Sequence, residues 1–335
     1  MAKSKAPTSV KPRPTRKTRP RLKKANLRSS SRDEPPDTPV VLSELTTPLN
    51  RLHARPARAL IGWIAADATH SMMAGPGAQP PYSPDILERA ERARAVVTAR
   101  SPLGPQHAVI ADAPTDLSDW ITDLEAKPFY RAFLNEGWRV RVANLSYVRA
   151  LQPIIHVDHA EERTRYAVAG DVRSLAAITI PTSRPKELLA IEPSPDGRRW
   201  TLSCRNPHLR ILGPYRADLD DSGYKTKIFG FQTELSHSLV QVVRWRGIYV
   251  LRDGYHRSYG LLARKITSIP VIYREWPDDQ LPVVGPGIFD PLIYLSDRSP
   301  LLTDYFEDTV SAPIEVRKTQ KTYVIQVVEL DLPIL

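Results

Sequence analysis

Asp253-Gly254-Tyr255-His256-Arg257 brings a carboxylate, a backbone free of Cβ, a phenol, an imidazole and a guanidinium into consecutive positions. The apolar run 248–251 precedes them and the periodic stretch 258–263 follows, which reads as a strand ending in a tight turn that launches a helix. The first turn of a helix leaves backbone N–H groups unpaired at the positive end of its dipole. His256 and Arg257 placed there suit a phosphate or another small anion. Gly254 lets the backbone approach such a ligand. A second apolar stretch, 266–273, completes strand, turn, helix and strand within the length of a crossover unit.

The segment Val250 to Tyr273, with this turn and the later Ile269-Pro270-Val271, resembles the signature of the ParB/sulfiredoxin superfamily, where a G-x-H-R or related turn precedes a helix and an "IPV" strand. Members include nucleotide-binding partition proteins, sulfiredoxins, free-serine kinases and nuclease-type domains. The resemblance therefore implies a phosphate-handling fold and leaves the reaction open. Sulfiredoxins carry a reactive cysteine just before the His-Arg pair, where this chain has Tyr255; its single cysteine, Cys204, lies far upstream. Partition proteins show a G-E-R-R-type turn and a following helix-turn-helix domain, whereas Pro-rich and strand-like runs follow Tyr273 here. The free-serine kinases carry D-G-H-H-R, matched by Asp253, Gly254, His256 and Arg257. On that resemblance Asp253 carries a catalytic role, and His256 beside it is the other candidate catalytic residue. Gly254, Tyr255, His256 and Arg257 are the candidate contacts to a nucleotide or phosphorylated ligand, Asp253 is the candidate Mg²⁺ ligand, and Glu234 stands in for a second carboxylate.

The elements that must position this turn fit an α+β chain. Residues 1–58 read as a disordered basic and Pro-rich tail, 59–137 as a helical extension, 138–275 as the ParB/sulfiredoxin-like domain with a β elaboration, and 276–335 as a β-rich C-terminal extension. Residues 84–100, with Pro84 at a helix start, and 115–138, broken near Pro128, are the helical stretches. Residues 138–145 and 151–157 are extended, and the short apolar runs 175–180, 188–191, 200–204 and 209–212 add strands. Ser194-Pro195-Asp196-Gly197 and Arg246-Gly247 mark hairpin turns. Residues 321–332 read as a strand that both faces can bury.

His156, Asp158 and His159 form a short H-x-D-H cluster at a strand end, followed by Glu161 and Glu162. A metal site needs three or four convergent ligands, and no second ligand cluster stands at useful spacing, so the expectation is a polar loop. Asp297, Arg298 and Asp304 are read as solvated loop charges. Nothing matches a P-loop, a nucleophile elbow or a cysteine zinc motif.

The first 32 residues hold 12 Lys or Arg and no Asp or Glu, so the formal +10 of the chain becomes −2 without them. Such a tail attracts nucleic acid in a salt-dependent way, or is simply solvated. One cysteine fits a reducing, cytoplasmic setting, and 59–66 is too short and too soon interrupted by Asp67 and His70 to span a membrane. The expectation is nucleotide or phosphate-ester binding at the turn, with phosphoryl transfer or hydrolysis open. The alternatives are a nucleic-acid-associated protein acting through residues 1–32 and a non-catalytic interaction module.

Overall fold

Residues Ala-Arg-Pro-Ala-Arg-Ala are extended as β1 (Ala54–Ala59), with Arg55, Ala57 and Ala59 on its buried face. A computed structural model describes residues 54–104, 109–183, 189–204, 209–221, 224–235, 238–283, 287–319 and 321–327. These lie in one compact unit, Pro48–Leu335, and the basic stretch 1–32 is outside the described residues. Because β1 starts at Ala54, the last five residues of the stretch read as tail belong to a strand.

The chain continues through α1 (Ala66–Ala74), α2 (Pro84–Ala99), β2 (Ile110–Asp112), α3 (Ser118–Ala126), α4 (Pro128–Asn135) and β3 (Arg139–Asn144). Pro84 and Pro128 each start a helix, where their missing N–H costs nothing. Next come β4 (Ile154–His156), α5 (Val157–Thr164), α6 (Val172–Thr179), β5 (Ala190–Pro193), β6 (Arg199–Cys204), β7 (Leu209–Asp221) and β8 (Tyr224–Leu235). The chain then forms β9 (Gln241–Trp245), β10 (Ile248–Asp253), α7 (Tyr255–Ala263), β11 (Ser268–Glu275), α8 (Pro291–Tyr294), β12 (Ala312–Arg317) and β13 (Lys321–Gln326). The fold is α+β.

Two sheets hold the core. The larger has the order β10-β9-β11-β3-β2, with β9 and β11 parallel and the other pairs antiparallel. Its middle strands carry Val242, Val243, Val271 and Ile272, all buried, as expected of strands covered on both faces. The smaller sheet, β12-β1-β4, is antiparallel and joins both ends of the described chain to β4. The hairpin β9–β10 turns through Arg246 (φ 49°) and Gly247 (φ 79°), the two positive φ values that a two-residue turn of matching twist requires. β10 and β11 flank β9 on opposite sides and run antiparallel to each other. The parallel crossover is therefore from β9 to β11, through β10 and α7, rather than a simple strand-helix-strand unit.

Several local expectations change. Residues 175–180 are not a strand: the Asp171 carboxylate accepts the N–H groups of Arg173 (3.0 Å) and Ser174 (3.1 Å), and this cap starts helix α6. β13 is an edge strand with Val324 exposed, so it is not buried on both faces; residues 328–332 are outside the described residues. The hairpin β5–β6 forms across Ser194–Gly197 as its turn residues require. β7 and β8 form a separate two-stranded ribbon, and Glu234 sits on it opposite Arg210. No helix among the described residues is long and apolar enough to cross a membrane.

Helix α7 ends on a non-glycine left-handed residue, Lys265 (φ 63°), with Ile266 N–H bonded to Leu261 C=O and Lys265 N–H to Leu262 C=O. This is the paired-bond stop that usually employs glycine. Replacing Lys265 with Gly removes a left-handed strain of about 1 kcal/mol and adds some unfolded-chain entropy. The expected outcome is a stability gain of a few tenths to about 1 kcal/mol in urea unfolding, with an unchanged m-value.

Candidate functional site

Four of the five turn residues hold the turn itself. Gly254 has φ 95°, and a Cβ there would lie 2.7 Å from Val240 Cγ2 and 3.0 Å from Val240 Cα, so both conformation and space demand glycine. Asp253 accepts the Gly254 N–H at 2.6 Å and the Ser238 hydroxyl at 3.3 Å. The buried Tyr255 hydroxyl donates to Leu251 C=O and accepts the Leu151 N–H at 2.9 Å, and burial pushes its pKa up. Arg257 is only 5% exposed. Its guanidinium donates to Ile178 C=O (3.1 Å), Ser238 C=O (2.7 Å) and Ser238 Oγ (2.7 Å). Burial lowers its pKa to about 10, which leaves it charged near neutral pH. The candidate phosphate contacts Tyr255 and Arg257 are thus spent on backbone groups and the Ser238 hydroxyl.

His256 alone of the five projects toward other chemistry. Its ring lies 5.1 Å from that of His156 and 5.6 Å from that of His159, centroid to centroid, and those two are 5.8 Å apart. The H-x-D-H cluster is therefore not a polar loop. His156 immediately precedes α5 and His159 is three residues on, so both rings fall on one side of its first turn. The third imidazole comes from α7. Further along, Gly260 of α7 packs against Ala160 and Thr164 of α5, so the two helices run parallel with their N-termini side by side. A Cβ at 260 would lie 2.5 Å from Thr164 Oγ1 and 2.6 Å from Ala160 C=O, and glycine is what allows this approach.

Arg55, from β1, completes the cluster. Its Nε and Nη2 reach Asp158 Oδ2 at 3.3 and 3.0 Å, while Nη1 lies 3.3 Å from His156 Nδ1 and 3.4 Å from His159 Nδ1. A guanidinium only donates, so both ring nitrogens accept and both rings are neutral. Burial first, then the charge of Arg55, lowers the pKa of His156 to about 4 and that of His159 below its ordinary value. Burial, followed by the charge of His156, takes His256 to about 2. His256 Nε2 is buried without a hydrogen-bond partner. A pocket of about 540 Å³ lies along α5 and α7, lined among others by Val157, Glu161, Glu162, Arg165, Tyr259 and Arg264, and by no residue of the cluster itself.

The chemistry open to this arrangement is polar recognition and proton handling by unprotonated imidazoles next to one fixed positive charge. Asp253 is outside the imidazole cluster, and it supplies one carboxylate already accepting two hydrogen bonds. The residues around it do not make an all-protein Mg²⁺ cage, and such an ion would have to arrive on a nucleotide's phosphates. Asp304 is not a solvated loop charge: it is 4% exposed and pairs with Arg100 at 2.7 Å, while Arg298 donates to Arg100 C=O. Sequence reasoning missed Arg55, hidden in a basic Pro-containing stretch, and did not join His256 to His156 and His159. No family model, curated protein or solved structure matches this chain.

Replacing Arg257 with Ala strands Ile178 and Ser238 carbonyls in the interior, for an expected loss of ~2–4 kcal/mol in denaturant unfolding. The histidines add a pH dependence. With folded pKa values depressed to about 4 for His156 and about 2 for His256, the unfolded chain binds more protons below its ordinary histidine pKa. Stability is full above about pH 6.5 and falls as the pH drops toward 4, by up to about 1.4 kcal/mol per pH unit for each histidine. Urea unfolding of His156→Gln against wild type across that range should show a shallower slope in the variant.

Proposed function

We propose that the protein binds a nucleotide or another phosphorylated small molecule where the N-termini of α5 and α7 meet, as a ParB/sulfiredoxin-like domain. The observation that carries the reading is the parallel pair of helix starts with three neutral imidazoles and Arg55 between them. Each helix start offers backbone N–H groups and about half a positive charge, which favours an anion, while the Arg55 charge there is already paired with Asp158. His256 faces the ligand, with its unpartnered Nε2 as a hydrogen-bonding group. Asp253, Tyr255 and Arg257 act by fixing the turn. In this reading Asp253 would be the carboxylate for an Mg²⁺ ion carried in on a nucleotide. The pocket along α5 and α7 is of a size suited to the organic part of such a ligand. Neutral imidazoles at this point suit a proton acceptor for phosphoryl transfer or hydrolysis.

A second reading has an observation of its own. The Tyr255 hydroxyl is engaged with backbone groups, and the Arg257 guanidinium with two carbonyls and the Ser238 hydroxyl, as in an interaction module whose turn is structural. The nucleic-acid reading depends on residues 1–32, outside the described residues.

A thermal-shift series with nucleoside di- and triphosphates and common phosphometabolites, with and without Mg²⁺, separates these. A ligand at a hundred times its Kd stabilises the folded state by about 2.7 kcal/mol. The expected result is a ligand-induced shift in wild type that Arg55→Met and His256→Gln abolish, each variant being compared with its own ligand-free midpoint. A flat response to every ligand in wild type sinks the phosphate reading and favours the interaction module.

A further inference from the structure

Among the described residues, one group of three side chains can offer convergent metal-ligating atoms: His156, His159 and His256, with one ring nitrogen from each within 4.8 Å of the others. We propose that these three imidazoles bind a divalent transition-metal ion of the Zn²⁺ class, leaving a further coordination position open. The inference goes beyond phosphate recognition and does not depend on it.

The donor set selects the kind of ion. Three neutral nitrogens suit Zn²⁺, Co²⁺, Ni²⁺ or Cu²⁺, whereas Mg²⁺ and Ca²⁺ take oxygen ligands. Zinc sits about 2.0–2.1 Å from imidazole nitrogens, which places tetrahedral ligand atoms about 3.4 Å apart. The three rings close to that spacing by small side-chain rotations, since two of them share the first turn of α5 and the third faces them from α7. Three protein ligands with a remaining position is the ligand count of a reactive site rather than a purely structural one.

Arg55 is the obvious objection, and its geometry answers it. The Nδ1 lone pairs of His156 and His159 already converge on a cationic group, Nη1 of Arg55. That guanidinium is anchored separately, through Nε and Nη2, to Asp158. Nη1 can therefore give up the rings to a metal while the ion pair stays. Asp158, in contact with Arg55, also offsets its charge at the site to first order. His256 contributes a buried Nε2 that has no other partner.

The test uses the full chain, freed of metal by a chelator. Isothermal titration with Zn²⁺, and absorbance on titration with Co²⁺, should each saturate at one equivalent, Co²⁺ giving visible bands of a nitrogen-rich, low-coordinate centre. Mg²⁺ in large excess should not compete. His256→Ala and His159→Ala should each weaken Zn²⁺ binding by at least about 100-fold, while His70→Ala, away from the cluster, leaves it unchanged. Circular dichroism checks that each variant folds. If His256→Ala does not, His159→Ala and His159→Gln decide, since that ring is the least buried of the three. Stoichiometric binding that survives in His159→Ala, or no binding of Zn²⁺ or Co²⁺ by wild type, overturns the proposal. Metal binding without any phosphate-ligand response, or the reverse, tells the two readings apart.

Discussion

The close parallel contact between α5 and α7 at Gly260 is the constraint around which the rest is arranged. Parallel helices side by side place like ends of their dipoles together, which is unfavourable by itself. Here an acidic residue stands at each start, Asp158 in the first turn of α5 and Asp253 just before α7, and each accepts a backbone N–H there. Thr164 turns its hydroxyl back onto Ala160 C=O at 2.8 Å, which draws the side chain in along its own helix. The outcome is a seam narrow enough for His256 to meet His156 and His159. A wider seam would leave three separate solvated rings.

The buried charges around the seam follow one rule, that each is tied to more than one partner. Arg55 has Asp158 and two imidazoles, and Arg257 has two carbonyls and a serine that in turn donates to Asp253. Such networks tolerate burial because removal of one partner exposes the others to the full cost of desolvation. They also divide labour within five residues. Asp253, Tyr255 and Arg257 are held inward by the scaffold, which leaves His256 as the side chain presented to the opposing helix.

Local structure around the turn was readable because its punctuation is local: the Asp-Gly pair, the flanking apolar runs, Arg246-Gly247 and the prolines at the starts of α2 and α4. Residues 175–180 misled because their apolar run suits a strand, and the decision lies with Asp171 upstream, whose carboxylate caps a helix. The site itself was legible only in halves. His156, Asp158 and His159 show their spacing, but whether they form a loop or the first turn of a helix depends on Gly260 far along the chain. Arg55 lies in a stretch whose arginines and proline resemble the basic region before it, and it becomes a strand residue because β12 and β4 pair with β1. Composition cannot reveal such distant pairings.

The sheet β12-β1-β4 gives the cluster an order of assembly in time. Arg55 rides on β1 and His156 on β4, but β1 acquires its second partner only when residues 312–317 are in place. On a chain emerging from its N-terminus, all three histidines are present well before the strand that steadies Arg55 has been made. Nascent chains, or chains clipped ahead of β12, would carry every residue of the cluster while lacking the support that aligns it. The strand β12 thereby completes the support on which the site is aligned.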